Sequence, residues 1–444
     1  MSDINILSCL HVDTTKLEEA KVVDETQDSI TYEVKTRKIG VACPKCKNIT
    51  SLVKDYTTKT YSFYGVGQKT IIINFKQKRL KCKNCGHTFV EENIFNKTGD
   101  YKLTKNLRIE LIKQLQNTRS VKSIANDFGI SESIVYKVLD AIEPKHGPIG
   151  KIMCVDEFAR VHVDGKLVLS AILVNGENKE LVDILPSRKA KYVREFLYSL
   201  TQAEQEKIRY LSIDMREPYK EAFKTVLPNI TVVVDRFHFV RYIIHALDKI
   251  RIRVMKTYDK ESHEYYILKK FKNFILKTEV DDNNACLKIR HKEWKYETTA
   301  KKIVDIMLNY SDELKIAYDF LHSFMVSYKS WDYETAKIKL KKTIEFLEFH
   351  GEIEELFELG KLLSNWQTEI ENSFLLVDGK TINNAICEGI NRKIKSLKNV
   401  SFGITNFKHL RSRIFLIYRK FDEEKWYQNM ELSIIATPWI NEAF

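Results

Sequence analysis

Three short apolar runs constrain this chain most: "KIMCVD" at 151–156, "RYLSID" at 209–214 and "TVVVD" at 231–235, each closing on an aspartate. Aliphatic and β-branched runs this short, bounded by polar residues, read as buried strands. An acid at the tip of a core strand either emerges into solvent, where it is unremarkable, or is carried to a cation. One such tip is bland, but three in one α/β stretch favour the cation. Glu157 follows Asp156 directly, so the sequence leaves open which of the two acids would bind it.

The elements between these runs suggest how they are arranged. "RVHVDG" and "KLVLSAILVNG" read as a hairpin with Asp164-Gly165 as the turn, and "KELVDIL" as a further strand. "AKYVREFLYSL" and "PYKEAFKTVL" carry apolar residues at helical spacing. Antiparallel-type strands followed by helix, strand, helix, strand make the layout of a ribonuclease H-like sheet, in which the first and fourth strands are adjacent and parallel. Asp156 and Asp214 would then lie side by side. Carboxylates that close repel unless a cation separates them, and hard oxygen donors favour Mg²⁺ or Mn²⁺.

Upstream, "CPKC" and "CKNC" place Cys43 with Cys46 and Cys82 with Cys85, joined by strand-like segments. Four thiolates fill a tetrahedral Zn²⁺ shell and leave no open position, so the pattern predicts a structural zinc ribbon in which His87 is not needed. The first twenty residues hold no basic region followed by an apolar core. No secretion signal is therefore expected, which favours metal over disulfides. In "VKSIANDFGISESIVYKVLDAI", Val121, Ile124, Ala125 and Phe128 repeat at helical spacing. Gly129 breaks the helix, and Ser131 caps a second one with Ile134, Val135 and Val138 inside. This predicts a helix-turn-helix whose outer residues, Glu132, Ser133, Tyr136 and Lys137, face DNA. The alternative is an ordinary helical hairpin.

Composition agrees with a nucleic-acid partner. The 444 residues allow about three domains, and 72 Lys and Arg against 60 Asp and Glu give a formal charge of +12, which suits a polyanion. No apolar run is long enough to predict a membrane span. Beyond Val240 the chain reads as a charged helical insertion whose Trp294, Trp331 and Trp366 are core. In "NNAICEGINRKIKSLKNV", Ile382, Ile386, Ile390, Ile394 and Leu397 mark a helix carrying Glu388, with Arg392 one turn on and Lys395 two turns on. As an isolated i,i+4 pair, Glu388 and Arg392 would contribute only about 0.2–0.5 kcal/mol. By pattern alone Glu369 and Glu371 compete with Glu388 for a site.

The paired-cysteine ribbon, the helix-turn-helix, "VDEF", "SIDM", "DRFH" and "EGINRKIK" together resemble bacterial insertion-sequence transposases of the DDE class, ISL-three family, over nearly the whole length. The resemblance implies Asp156, Asp214 and Glu388 as the catalytic, Mg²⁺-binding triad (or Mn²⁺-binding), with Asp235 and His238 as accessory residues. It implies two metals about 3.5–4 Å apart, water and then a 3′-hydroxyl as nucleophile, and structural Zn²⁺ at Cys43, Cys46, Cys82 and Cys85. The partners would be double-stranded DNA, both element ends and target, and a second copy of the chain on DNA. The DNA contacts would be Ser133, Tyr136, Lys137, Arg392 and Lys395. No membrane role is expected, and the setting would be the bacterial cytoplasm at the nucleoid. The expected fold is a multidomain α/β chain: a zinc ribbon at 1–98, a helix-turn-helix at 99–145, a ribonuclease H-like catalytic core at 150–240 and 381–425 around a helical insertion at 241–380, and a tail at 426–444. The alternatives are a DNA-binding regulator with an inactive catalytic domain, and a ribonuclease H-like nuclease or resolvase.

Overall fold

The computed structural model describes residues 7, 14–63, 69–95, 105–142, 144–163, 165–277, 287–290, 294–400 and 406–418. The chain is mixed α/β and divides into two compact units, one of Met1–Lys145, His162–Asp164 and Lys393–Phe444, the other of His146–Val161 and Gly165–Arg392.

In the first unit, β1 (Leu17–Glu25), β2 (Ser29–Thr36), β3 (Val53–Phe63), β4 (Thr70–Lys81) and β5 (Thr88–Val90) form a sheet in the order β1-β2-β4-β3, with β5 against β4. From Thr70 to Phe75, β4 alternates half-buried and buried residues, as a strand with one face on a core must. Ile71, Ile73 and Phe75 form that core with Tyr32, Val34 and Tyr61. Three helices follow: α1 (Lys105–Leu115), α2 (Val121–Asp127) and α3 (Glu132–Asp140). The Ser120 side chain caps α2 by accepting from Ser123 N–H. Gly129 then turns the chain at φ +60°, where a Cβ would also meet Thr70 Oγ1 at 2.5 Å. Of the expected apolar positions of α2 and α3, Val121, Ile124, Ala125, Phe128, Val135 and Val138 are buried together, and Ile134 is half-buried against them.

A late helix, Phe407–Tyr418, completes this core. Its Leu416 joins the cluster, and the wholly buried Arg413 donates to Asn117 O at 2.8 Å and Arg119 O at 2.7 Å. The sequence reading gave residues 407–418 to the catalytic core, whereas they pack on the α1–α3 bundle. The tail at 426–444 lies outside the described residues.

The second unit is built on β6 (Ile152–Val163), β7 (Lys166–Asn175), β8 (Leu181–Leu185), β9 (Tyr210–Ile213) and β10 (Thr231–Val234), in the order β8-β7-β6-β9-β10. Strands β6, β9 and β10 run parallel, and β8 is antiparallel to β7. The sequence reading ended one strand at Asp156 and began another near Arg160, but β6 runs straight through both. Asp164 of the expected turn lies outside the described residues, while Gly165 has φ +74°. Met153, Val155, Leu211 and Ile213 share a core with α4 (Ala190–Ser199) and α5 (Glu217–Val226). That core continues into α6 (Arg236–Lys256) and the helices up to Asn372, so the insertion and the sheet share one apolar interior. Trp331 and Trp366 are buried in it, and Trp294 is half-buried against His263. Among the described residues no helix is long and apolar enough to cross a membrane.

Candidate active site

Strand register places the acids. Cys154 pairs with Ser212 and Ile213 with Val234. Carried two residues further on β6 and β9, the first pairing sets Asp156 opposite Asp214. Carried one residue further, the second sets Asp214 opposite Asp235. All three aspartates therefore stand at the same end of three parallel strands. Side chains alternate along a strand, so Asp156 and Asp214 share the face of Cys154 and Ser212, away from the core of Met153 and Ile213.

That face is covered by the segment leading into α7 (Ala385–Val400), which is stitched to the sheet. Asn384 Nδ2 donates to Val155 O at 3.0 Å, Asn384 N–H donates to Asp235 Oδ2 at 2.6 Å, and Cys154 Sγ contacts Asn383 O at 3.7 Å. Asp235 is buried, and its other oxygen caps α6 by accepting from Phe237 N–H at 2.8 Å. It acts as a brace, holding α6 and the Asn384 turn at the strand tips. One turn into α6, His238 Nε2 reaches 2.7 Å from Asp214 Oδ1.

The electrostatics follow from this crowding. Burial, then the neighbouring charge of Asp214, pushes Asp156 from 3.8 up to about 6. Burial lowers the His238 imidazole, but the Asp214 carboxylate outweighs it and holds the ring above its ordinary value. Asp214 Oδ1 is buried, and the 2.7 Å contact with His238 Nε2 is what serves it. Two carboxyls crowded this closely, with Asp156 held above the usual carboxylate range, are the arrangement a divalent cation would relieve.

Glu388 stands apart. It is exposed on the first turn of α7 and pairs with Arg392 at 3.6 Å. Asn391, one turn along the same helix face, reaches the acids instead: its Nδ2 donates to Asp156 Oδ2 at 2.8 Å. The sequence does not mark Asn391 as a site residue, because an amide carries no charge; its i+3 spacing from Glu388 is the signal that points to it. Glu157 does not face Asp214. Its Oε1 accepts from Arg188 at 2.9 Å and pairs with Arg216 at 3.0 Å. The rival Glu369 is buried against Lys220 at 3.0 Å, and Glu371 accepts from Gln367 at 2.8 Å on its own helix.

The second candidate centre lies in the first unit. Cys43, Cys46, Cys82 and Cys85 are the one group among the described residues in which three or more metal-ligand atoms converge, all within 4.8 Å of one another. Their Sγ separations of 3.7 Å (Cys43 to Cys85) and 3.5 Å (Cys46 to Cys82) are far too long for a disulfide. They match the edge of a tetrahedron with 2.3 Å metal–sulfur bonds, about 3.8 Å. The two knuckles are alike: Lys47 N–H donates to Cys43 O, Gly86 N–H donates to Cys82 O, and both donors have positive φ. Although the His87 backbone N–H favours its thiolate, burial and the sulfurs of Cys46, Cys43 and Cys82 push the Cys85 thiol up to about 12. Four thiolates packed this closely repel one another, a repulsion that a bound cation relieves. His87 is exposed and is not among them.

The residues expected to face DNA divide. Ser133, Lys137, Arg392 and Lys395 are exposed. Tyr136 is not: it stacks on His409 of the late helix, with centroids 4.9 Å apart, and burial raises its phenol. The outward-facing expectation for Tyr136 fails because a helix distant in sequence covers it.

The pattern of the ISL-three DDE family, described as "Transposase", matches residues 153–414. The chain belongs to the ISL-three family of DDE transposases. The transposase match spans Asp156, Asp214, Asp235, His238 and Glu388 and begins after the cysteine cluster. The chain is also similar to the transposase for insertion sequence element IS1001 of Bordetella parapertussis, 23% identical over 229 residues, which cover 50% of this chain and 54% of that protein. It thus spans about half the length of this curated relative.

Proposed function

We propose that the chain is a DNA transposase that binds the terminal inverted repeats of its element and catalyses metal-dependent cleavage and strand transfer. The observation that carries this reading is the pairing of Asp156 and Asp214 across adjacent parallel strands, which crowds two carboxyls and holds Asp156 above its ordinary range. The sheet order and the parallel β6-β9-β10 register support a ribonuclease H-like core.

In this reading Asp156 and Asp214 hold Mg²⁺ or Mn²⁺, and Glu388 completes the set by turning from Arg392 toward the face its helix already shares with Asn391. When bound, the cation lowers the pKa of a water or 3′-hydroxyl and stabilises the leaving oxygen. Asn391 orients Asp156 through its amide. Asp235 fixes the helix that presents His238, and His238 holds Asp214 in place and can carry a proton near the reacting phosphate. The four cysteines hold structural Zn²⁺, and α2 and α3 act as a helix-turn-helix in which Ser133 and Lys137 meet DNA. Joining two ends requires two active sites, so a homodimer on paired ends is part of the proposal.

The test is strand transfer on linear DNA carrying the sequences that flank the gene. Wild type should join ends to target in Mg²⁺, while Asp156→Asn, Asp214→Asn and Glu388→Gln bind the ends and do not cut. Cutting at the wild-type level by Glu388→Gln would remove that residue from the set. Binding by wild type with no cutting in Mg²⁺ or Mn²⁺ would favour a DNA-binding regulator.

A further inference from the structure

At the strand ends that carry the acids, on the side of α4 and α5, lies a cavity of about 320 Å³, lined by Glu157, Arg188, Lys189, Arg216, Pro218 and Tyr219. Four features converge on it. Three of its side chains are cationic against a single carboxylate. Arg188 and Arg216 meet one oxygen, Glu157 Oε1, at 2.9 and 3.0 Å, so most of the N–H donors of both forks remain for another acceptor. The N-termini of α4 and α5, both ten residues long, open onto the cavity at their caps, Lys189 and Arg216, and neither carries a side-chain cap bond. Uncapped helix N-termini attract anions. Finally, Tyr219 is 2% exposed and its hydroxyl has no hydrogen-bond partner. A buried hydroxyl without a partner is costly unless something else completes it.

The geometry points to a phosphate subsite: this cavity takes a DNA backbone phosphodiester adjoining the one held at Asp156 and Asp214. Arg188 and Arg216 clamp it, Tyr219 donates to it, and Glu157 occupies the arginines until DNA arrives. Glu157 projects from β6 on the side opposite Asp156, and Arg216 lies two residues after Asp214, so the subsite sits at the same strand ends as the acids, on the α4–α5 side of the sheet. The inference rests on the transposase reading and deepens it by fixing the path of the bound strand. It also gives Glu157 a role other than metal ligand.

The experiment uses the full chain in EDTA, with a labelled random-sequence 30-bp duplex followed by anisotropy across a salt series, and inorganic phosphate as competitor. Arg188→Ala/Arg216→Ala should weaken binding several-fold and flatten log K against log salt by about 0.9 for one lost phosphate contact. Glu157→Gln should change affinity in the opposite direction, tightening binding a few-fold. Tyr219→Phe should lose affinity without losing thermal stability, because its hydroxyl has no partner until DNA supplies one. Wild-type affinity and slope in the double variant would overturn the subsite while duplex binding leaves the transposase reading intact. Inorganic phosphate binding that is lost in the double variant, with duplex binding unchanged, would overturn it too, assigning the cavity to a free anion. No duplex binding by wild type would sink the DNA reading, and the subsite with it.

Discussion

Removing the charge at Asp156 should stabilise the metal-free protein. Asp156 is raised from 3.8 to about 6 in the fold by burial and by Asp214. At 1.36 kcal/mol per pH unit, that is about 3 kcal/mol of folding free energy given up once the carboxyl ionises. The sign follows from proton linkage. Between pH 4 and 6 the native state binds more protons at this site than the unfolded state, so its contribution to stability falls as pH rises through that window and stays lost above it. Asp156→Asn removes this slope. Asn391 can still pair with the new amide, because its own buried Oδ1 has no partner at present. In EDTA at pH 8 the variant should therefore melt several degrees higher than wild type, with the difference vanishing near pH 4. Added Mg²⁺ should raise the wild-type melting temperature and leave the variant unchanged. A variant less stable than wild type at pH 8 would refute the crowded acid pair.

Other outcomes follow from the same structure. His238→Ala should push the ionisation of Asp156 higher, because a positive neighbour is lost; carboxyl NMR titration checks it, and no change would separate His238 from Asp156. Cys82→Ser should release the bound metal and unfold the first sheet's end, read by metal analysis and melting, whereas a metal-free wild type purified without chelator would contradict the zinc assignment. Arg413→Ala should destabilise the α1–α3 bundle by about 2–4 kcal/mol, since two carbonyls lose a charged donor in a buried site; limited proteolysis between α1 and α2 reports it. Tyr136→Ala should lower stability more than DNA affinity, because its ring stacks on His409.

What the sequence revealed was whatever depends on local order. The cysteine knuckles are legible because a tetrahedral ion needs two thiolates per short loop. The acids are legible because apolar runs of four or five residues leave little choice of strand. The relation of Asp156 to Asp214 needed one further step, the parallel register, which the strand and helix order supplies. Long-range contacts were not legible. Nothing near Tyr136 announces His409, and nothing near Arg119 announces Arg413. The strand through Asp156 was cut short because Asp156 and Glu157 interrupt its apolar pattern. Pairing with β7 and the tie from Asn391 keep it extended, and neither can be read locally. Asn391 escaped notice because an amide carries no charge, although it makes the contact with Asp156 that Glu388 does not.

If Asp156 and Asp214 hold a divalent cation between them, Fe²⁺ should take the place of Mg²⁺ there. Iron with ascorbate and peroxide generates hydroxyl radicals that cut peptide backbone beside the bound ion. The expected cuts fall near Asp156, Asp214, His238 and Glu388, are suppressed by excess Mg²⁺ and are lost in Asp214→Asn. Cuts confined to other segments, or cuts at these positions that persist in Asp156→Asn and Asp214→Asn, would contradict it.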